Sequence, residues 1–465
     1  MESRQSRKTF RTRLDDLINT LRDEIVSGKR AVGEFLPSEK AFAEEFGLSN
    51  QSVRKGLDVL VEEGLIVKIA RVGNKVAGPA DRGGAKVKLG YHSSIIRESE
   101  IDRLIAMFQQ AYPHIQVELI PLPTFSHDLV KKYMESEMLD IVTMNYNEYC
   151  DFLERDSRHC LEPQPCKPGL YSFLTDAFRS DGELLVSPFI FSPVILCYNR
   201  DHFLERDVPE PDSSWRWEQL IDNSAKLAVE NERLGFYYHF SSPNRWPLLL
   251  LQRGGAFERG EEGRIRVAGT PMADAFRFCR ELRNHFPSLP QSIANGEAEN
   301  LLMQGKSSIV LTSYFHLNYL RDADVPFDVA PVPHFGEPKT LLLCIGLAVS
   351  SHSQVKEAAL KLADFLTSYD AQLAIRQKTY SLPALKRAAE WIGPETMYRP
   401  PRFALFRETM PTFHFFTDLN IGQSELTGMM KEATLYWAGL ESEETFCSRL
   451  EQLPPSRRTA AGALA

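Results

Sequence analysis

Five residues between positions 50 and 55 carry side chains suited to reading DNA. Asn50 and Gln51 bring amides, Ser52 a hydroxyl, Arg54 a guanidinium and Lys55 an ammonium. Amides and guanidinium groups match base edges in the major groove, and cations match phosphates. Ser49 can cap a helix on which Val53, Leu57, Leu60 and Val61 share one face, leaving those five residues off the core. A helix used for protein contacts satisfies the same periodicity, so spacing alone leaves both readings open. Catalytic patterns are weaker. Gly305-Lys306-Ser307 resembles the end of a P-loop, but the required upstream glycine is Asn300. Ser353 and Lys356 fit SxxK, a pattern short enough to recur by chance. No HExxH, GxSxG or GxGxxG occurs, and the 11 histidines show no metal-ligand spacing. An enzyme is not expected, and no cofactor or metal is implied.

The elements around Asn50 follow from the same reasoning. Leu14, Leu17, Ile18, Leu21 and Ile25 predict an amphipathic helix stopped near Gly28. Ser38 caps a second short helix ending at Gly47, and Gly64 closes the third. Ile66–Ala70 and Lys75–Ala77 read as two short strands around Val72-Gly73-Asn74. The order is helix, helix-turn-helix, two-stranded wing. Gly78-Pro79-Ala80-Asp81-Arg82-Gly83-Gly84-Ala85 reads as a flexible linker.

Composition places this module in a longer chain. There are 465 residues, too many for one compact core. The formal net charge is −8, which taken alone argues against nucleic-acid binding. The first 80 residues carry +2, however, and the rest −10. No apolar run approaches the 18 or so residues of a membrane span, the longest candidate being Leu341–Val349. The charged start Met1-Glu2-Ser3-Arg4 leads into no apolar segment, so no secretory signal is expected and the protein is expected to be cytoplasmic. Seven scattered cysteines without a CxxC pair suggest reduced thiols.

Leu36-Pro37-Ser38-Glu39-Lys40, then Leu48-Ser49-Asn50-Gln51-Ser52-Val53-Arg54-Lys55-Gly56-Leu57 and Glu63-Gly64-Leu65-Ile66, resemble the winged helix-turn-helix of GntR-type bacterial transcription regulators. The resemblance covers roughly residues 10–77. It implies contacts with a double-stranded DNA operator from Lys40, Asn50, Gln51, Ser52 and Arg54, and from Arg71, Gly73 and Lys75 at the wing. It also implies a homodimer on a palindromic site. Asn50 replaces the family's usual Arg and Lys75 its second wing Gly, which implies a different operator sequence.

Beyond residue 86, short strands (Val87–Tyr91, the alternation Ile115, Val117, Leu119, and Asp140–Met144) alternate with helical stripes. That pattern means an α/β fold with parallel strands. Leu139-Asp140-Ile141-Val142, Pro188-Phe189, Cys197-Tyr198-Asn199-Arg200, Trp215-Arg216-Trp217, Arg253-Gly254-Gly255-Ala256-Phe257, Met303-Gln304-Gly305-Lys306, Gly346-Leu347-Ala348-Val349 and Leu382-Pro383-Ala384-Leu385 stand in an order that resembles bacterial extracellular solute-binding proteins of the oligosaccharide-binding, maltose-binding-protein-like type.

That resemblance implies a periplasmic-binding-protein-like (type II) fold with two α/β lobes. The expected chain is multidomain: a small α+β winged helix-turn-helix (1–77), a linker (78–86), a two-lobed sensor (87–453) and a disordered tail (454–465). The first lobe is expected at about 87–193 and 312–350, the second at about 194–311 and 351–453. The expected crossings lie near Phe191–Val194, Leu311–Ser313 and Ser350–Ser353. Sugars bind by aromatic stacking and hydroxyl hydrogen bonds. The cleft candidates are therefore Asn145, Tyr146, Phe191, Asn244, Arg245, Trp246, Tyr314, Phe315, His414 and Phe415. Any of these aromatics could equally be core. The expected function is a transcription regulator whose operator affinity is set by a sugar or oligosaccharide effector. The alternative is a receptor of an ABC-type sugar transporter without a transcriptional role.

Overall fold

The computed structural model describes residues 2–69, 72–77, 85–122, 126–240, 242–286 and 296–456, with side chains from Thr12 onward. The chain forms two compact units, one of Met1–Val87 with Phe108–Glu118, the other of Lys88–Met107 with Leu119–Ala465.

In the first unit, three helices, α1 (Glu2–Val26), α2 (Glu39–Phe46) and α3 (Asn50–Glu62), precede a hairpin of β1 (Ile66–Ile69) and β2 (Gly73–Val76). Local chemistry sets each boundary. The Ser38 side chain accepts from the Ala41 amide, and Ser49 accepts from the Ser52 amide at 3.2 Å. Gly47 ends α2 at φ 61°, a left-handed conformation that glycine adopts without a Cβ clash. Leu17, Leu21, Phe42, Val53, Leu57, Leu60, Ile66 and Val76 form the core, with Leu14 and Ile18 partly buried against it. The two strands pair antiparallel, Ile66 opposite Val76.

The second unit is built on a mixed sheet, in which the expected parallel strands are joined by antiparallel ones. Its path runs Ala85–His92, Ile141–Asn145, Thr340–Val349, Val186–Asn199, Ser307–Ser313, Leu234–Tyr237. The first pair is parallel, as is the last, and the strands between run antiparallel. Ala85 and Lys86, expected in the linker, already belong to the first of these strands; residues 78–84 lie outside the described set. Val186–Asn199 is buried along its whole length and serves both lobes. Its residues up to Pro193 pair with Thr340–Val349, and those from Val194 pair with Ser307–Ser313 and Phe327–Ala330. The first crossing therefore falls at Pro193–Val194, inside the expected Phe191–Val194.

The other two crossings differ from expectation. Ser307–Ser313 pairs with the second-lobe half of the long strand, and so does Phe327–Ala330, so the chain does not return to the first lobe at 312. It returns at Thr340–Leu342. Ser350 and Ser353 do not leave that lobe: the Ser350 amide donates to the Asp140 carbonyl, and Ser353 Oγ donates to Asp140 Oδ1 at 2.6 Å. The helix Lys356–Leu366 stays with it, Lys356 pairing with Glu162 at 2.9 Å. Leu382–Pro383 still pairs with Phe191 and Ile190. The lobe membership expected for 312–330 and 351–383 is thus reversed. The sequence marks strand ends but not which half of a shared strand a later segment will join.

Ser456, expected in a disordered tail, is 2% exposed and packs beside Gly422; residues 457–465 lie outside the described set. All seven cysteines are free, six of them buried and Cys166 exposed. Among the described residues, no helix is long and apolar enough to cross a membrane.

One close approach fixes the second lobe. A Cβ on Gly235 would stand 1.8 Å from the Ser224 carbonyl oxygen of the helix Trp217–Leu227. Gly235→Ala must push helix and strand apart, and a cost of about 2–4 kcal/mol follows. Chemical denaturation should show it as a lower midpoint, with any solute site in the folded protein retained.

Candidate functional site

The first candidate surface is the start of α3. Asn50, Gln51, Arg54 and Lys55 are exposed, as is Lys40 at the start of α2. Arg54 is committed to a bidentate pair with Glu39, its Nη2 donating to Oε2 at 2.7 Å and its Nε to Oε1 at 3.1 Å. That pair holds the Glu39 carboxyl below its ordinary range, through hydrogen bonding first and charge second. Ser52 departs from expectation. It is buried, and its Oγ lies 2.7 Å from Ser49 Oγ within the cap, so it has no face toward a groove. Gly73 is exposed and Lys75 half-buried at the wing, while Arg71 lies outside the described residues.

The second candidate is a cavity of about 460 Å³ between the lobes. Two parallel strands end at it, and the residues that follow them form one wall: His92, Ser94, Arg97 and Glu98 after the first, Asn145, Tyr146, Asn147 and Glu148 after the second. Pockets at the carboxyl ends of parallel strands are the rule in such sheets. Asn244, Arg245, Ser313, Phe315, His316 and Tyr319 form the facing wall, and Leu343–Ile345 the floor. Neighbouring segments are tied together. Arg321 meets Glu100 at 2.5 Å, Asn147 Nδ2 donates to Gln423 Oε1 at 2.8 Å, and Tyr146 Oη lies 3.0 Å from Thr417 Oγ1.

The electrostatics are concentrated in a few groups. Glu299, 1% exposed, lies behind the second wall, 3.7 Å from His316 Nδ1 and bonded by Thr312. Burial pushes Glu299 up, but His316, Thr312 and Arg245 outweigh it and hold the carboxyl ionised, below its ordinary range. Arg245 is buried; its Nη1 donates to the Asn244 carbonyl, and its Nη2 lies 3.2 Å from His316 Nδ1. Desolvation lowers its pKa to about 10 against the pull of Glu299. On the other wall, burial raises Glu98 to about 7 and Glu148 to about 8. Glu98 accepts from Ser94 Oγ, and Glu148 shares a capping box with Asn145.

Of the ten residues expected in the cleft, five line it: Asn145, Tyr146, Asn244, Arg245 and Phe315. The others are structural. Phe191 is fully buried among Tyr171, Phe173, Phe406 and Phe413. Trp246 is fully buried against Phe276 and Trp437. Tyr314 is buried and donates to the Phe403 carbonyl at 2.8 Å. His414 pairs with Asp418 at 2.7 Å, away from the cavity. Phe415 packs on Tyr146 with the rings tilted by 41° and their centroids 4.3 Å apart. The residues not foreseen are mostly polar: His92, Ser94, Arg97, Glu98, Glu148 and His316. The strand-end rule that found Asn145 would have found the group after His92. One trio that could hold a metal, Glu135, His159 and Cys160, exists among the described residues. Burial raises the Cys160 thiol, which disfavours the thiolate a metal requires, and the trio does not line the cavity.

Comparison with known proteins follows this geometry. Residues 102–403 match the family model described as bacterial extracellular solute-binding protein. The chain belongs to that family. Its segment 15–76 matches the gntR family of bacterial regulatory proteins, so the solute-binding fold follows a GntR-type helix-turn-helix. The HTH-type transcriptional repressor NagR of Bacillus subtilis is 36% identical over 63 residues, 14% of this chain and 26% of the repressor. The galactooligosaccharide-binding protein of Bacillus subtilis is 22% identical over 239 residues, 48% of this chain and 55% of that protein. The chain spans about half the length of the curated solute-binding relatives it matches. A solved ABC substrate-binding protein from Listeria monocytogenes, in complex with cycloalternan, shares the fold. Its TM-score is 0.65 at 18% identity, over 82% of this chain and 99% of that one.

Two outcomes test the assignment of core and cleft. Trp246→Ala should destabilise the family fold by about 3–5 kcal/mol, as for other buried aromatics. Glu98→Gln should do the reverse at high pH. A carboxyl raised from 4.5 to about 7 contributes stability that is present at pH 4.5 and lost as pH rises through 7. The glutamine variant should therefore gain up to about 3 kcal/mol over the parent at pH 8.5 and nothing at pH 4.5, read by thermal denaturation.

Proposed function

We propose that this chain is a ligand-responsive transcription regulator. Its segment 1–77 reads a double-stranded operator, and its solute-binding fold senses a sugar or oligosaccharide. The observation that carries the reading is the presence, on one chain, of a GntR-type segment and of a family fold whose cavity is walled by polar groups. Asn50, Gln51 and Arg54 are the proposed base- and phosphate-contacting groups, with Lys40 and the wing residues Gly73 and Lys75 at the backbone. Asn244, Arg245, Asn145, Tyr146 and Phe315 are the proposed solute contacts. Phe315 offers a ring for the apolar side of a sugar.

The mechanism is a population shift. Solute that touches both walls favours the closed lobes by its differential affinity. In a homodimer on two half-sites, a shift in how the two readers are held changes operator affinity, because half-site spacing is strict. The protein acts as a cytoplasmic binding protein without catalysis in this reading.

A gel shift with the DNA upstream of its own coding sequence tests the reader. Arg54→Ala should weaken binding about tenfold and lower its salt dependence; unchanged binding would remove α3 from the interface. A thermal-shift screen of sugars tests the sensor. A ligand at 100 times its dissociation constant should stabilise the chain by about 2.7 kcal/mol and change the gel-shift affinity. A sugar that binds without altering DNA affinity would leave two functions uncoupled.

A further inference from the structure

We propose that the cleft takes an acidic sugar, a polyhydroxyl ring bearing a carboxylate or phosphate, with the anion held between Arg97 and Arg245 at the first turn of the helix Tyr146–Glu154. The proposal rests on the reading of this cavity as the solute site and names the charge of the solute.

Arg245 is 4% exposed and lines the cavity. Among the described residues, no carboxylate oxygen lies within ion-pair distance of it. Its two hydrogen bonds go to the Asn244 carbonyl and to His316 Nδ1, leaving part of a five-donor fork unused. Glu299 acts on it through space, without a hydrogen bond, from beyond the ion-pair distance. A buried guanidinium in that position is costly until an anion meets it, and its planar fork suits carboxylate or phosphate. Arg97, on the facing wall, also has no carboxylate partner among the described residues; its guanidinium lies 4.2 Å above the Tyr319 ring. Between them the nine-residue helix Tyr146–Glu154 points its N-terminus at the cavity, with Asn145 as its cap. Partial positive charge gathers at such an end.

Glu98 and Glu148 would be expected to oppose an anion. Neither has a cationic partner among the described residues, and burial keeps Glu98 protonated up to about 7 and Glu148 up to about 8. In that range they are hydrogen-bond donors. Of the other titratable groups facing them, burial lowers the His92 imidazole, and His316 is tied between Arg245 and Glu299. The charge left facing the solute is the pair of guanidinium groups. An amino sugar would bring a third cation to them, and a neutral sugar would leave Arg97 and the unused donors of Arg245 without an anion. At about 460 Å³ the cavity falls in the range of small-molecule sites.

The same charges give a signed pH dependence. As pH rises through 7 and 8, Glu98 and Glu148 ionise and repel the anion, so affinity for an acidic sugar falls. Calorimetric titration of the full chain with glucuronate, galacturonate, glucose 6-phosphate, glucose, galactose, maltose and glucosamine tests this at pH 6 and pH 9. The expected result is an acidic member that binds at least about tenfold more tightly than its neutral counterpart at pH 6 and loses about tenfold by pH 9. The uronates and the phosphate distinguish the two kinds of anion. Arg97→Gln, an exposed change, should cost the acidic sugar at least about fivefold and leave neutral sugars unaffected. Glu98→Gln should lessen the loss between pH 6 and pH 9 and leave the part that Glu148 contributes. If a neutral sugar binds as tightly as its acid, or glucosamine binds best, the charge assignment is overturned while the sugar-cleft reading stands. If no sugar of any kind binds, that reading falls as well.

Discussion

One strand carries the architecture of the solute-binding fold. Val186–Asn199 is buried at every position and gives its first half to one lobe and its second half to the other. A strand that is hydrogen-bonded on both sides cannot swing freely, so any motion between the lobes must concentrate where the ladder changes partners. That place is Pro193–Val194, and Pro193 has no amide hydrogen to give to the ladder. A second weak point lies nearby. The register of Thr340–Val349 slips between Ile345 and Gly346, opposite Pro188, where another ladder donor is missing. The rest of the unit hangs from this strand, including the walls that meet at its middle.

The cleft is a by-product of that arrangement. Two parallel strands end on the same side, and the chain after each turns directly into a helix. Side chains in those first turns have no strand neighbours and face whatever the other lobe presents. The facing segment around Arg245 and His316 is anchored from below by Glu299, which gives up its solvent to do so. A guanidinium on each wall, with two buried acids beside one of them, leaves the cavity polar without a complete internal set of ion pairs.

Local boundaries were legible in the residues. Ser38, Gly47, Ser49 and Gly64 mark the helix ends of the reader because each cap depends on one side chain or one φ angle. The strand ending at Asn145 was legible for the same reason. Lobe membership after residue 312 was not, since a strand's pattern does not say which half of Val186–Asn199 it will pair with. Nor were the aromatics. Phe191, Trp246 and Tyr314 have the composition of a sugar platform and the surroundings of a core, and only packing separates the two. Ser52 shows the converse. A hydroxyl at the start of a recognition helix looks like a DNA contact, yet the neighbouring Ser49 draws it into the cap. The acidic wall was missed because Glu148 sits in a first turn, where carboxylates usually serve the helix alone, and Glu98 lies in a short six-residue helix that no periodicity marks.

The distribution of sulfur has a practical side. Six cysteines are buried, Cys344 at the floor of the cavity, and burial raises the thiols of Cys197, Cys279 and Cys344 far from thiolate character. Cys166 alone is exposed. Alkylating reagents and oxidants will therefore meet one address on the outer surface of the native chain. A fluorophore placed there reports on the folded protein without engineering, and mixed disulfides formed in handling will join copies through the same residue.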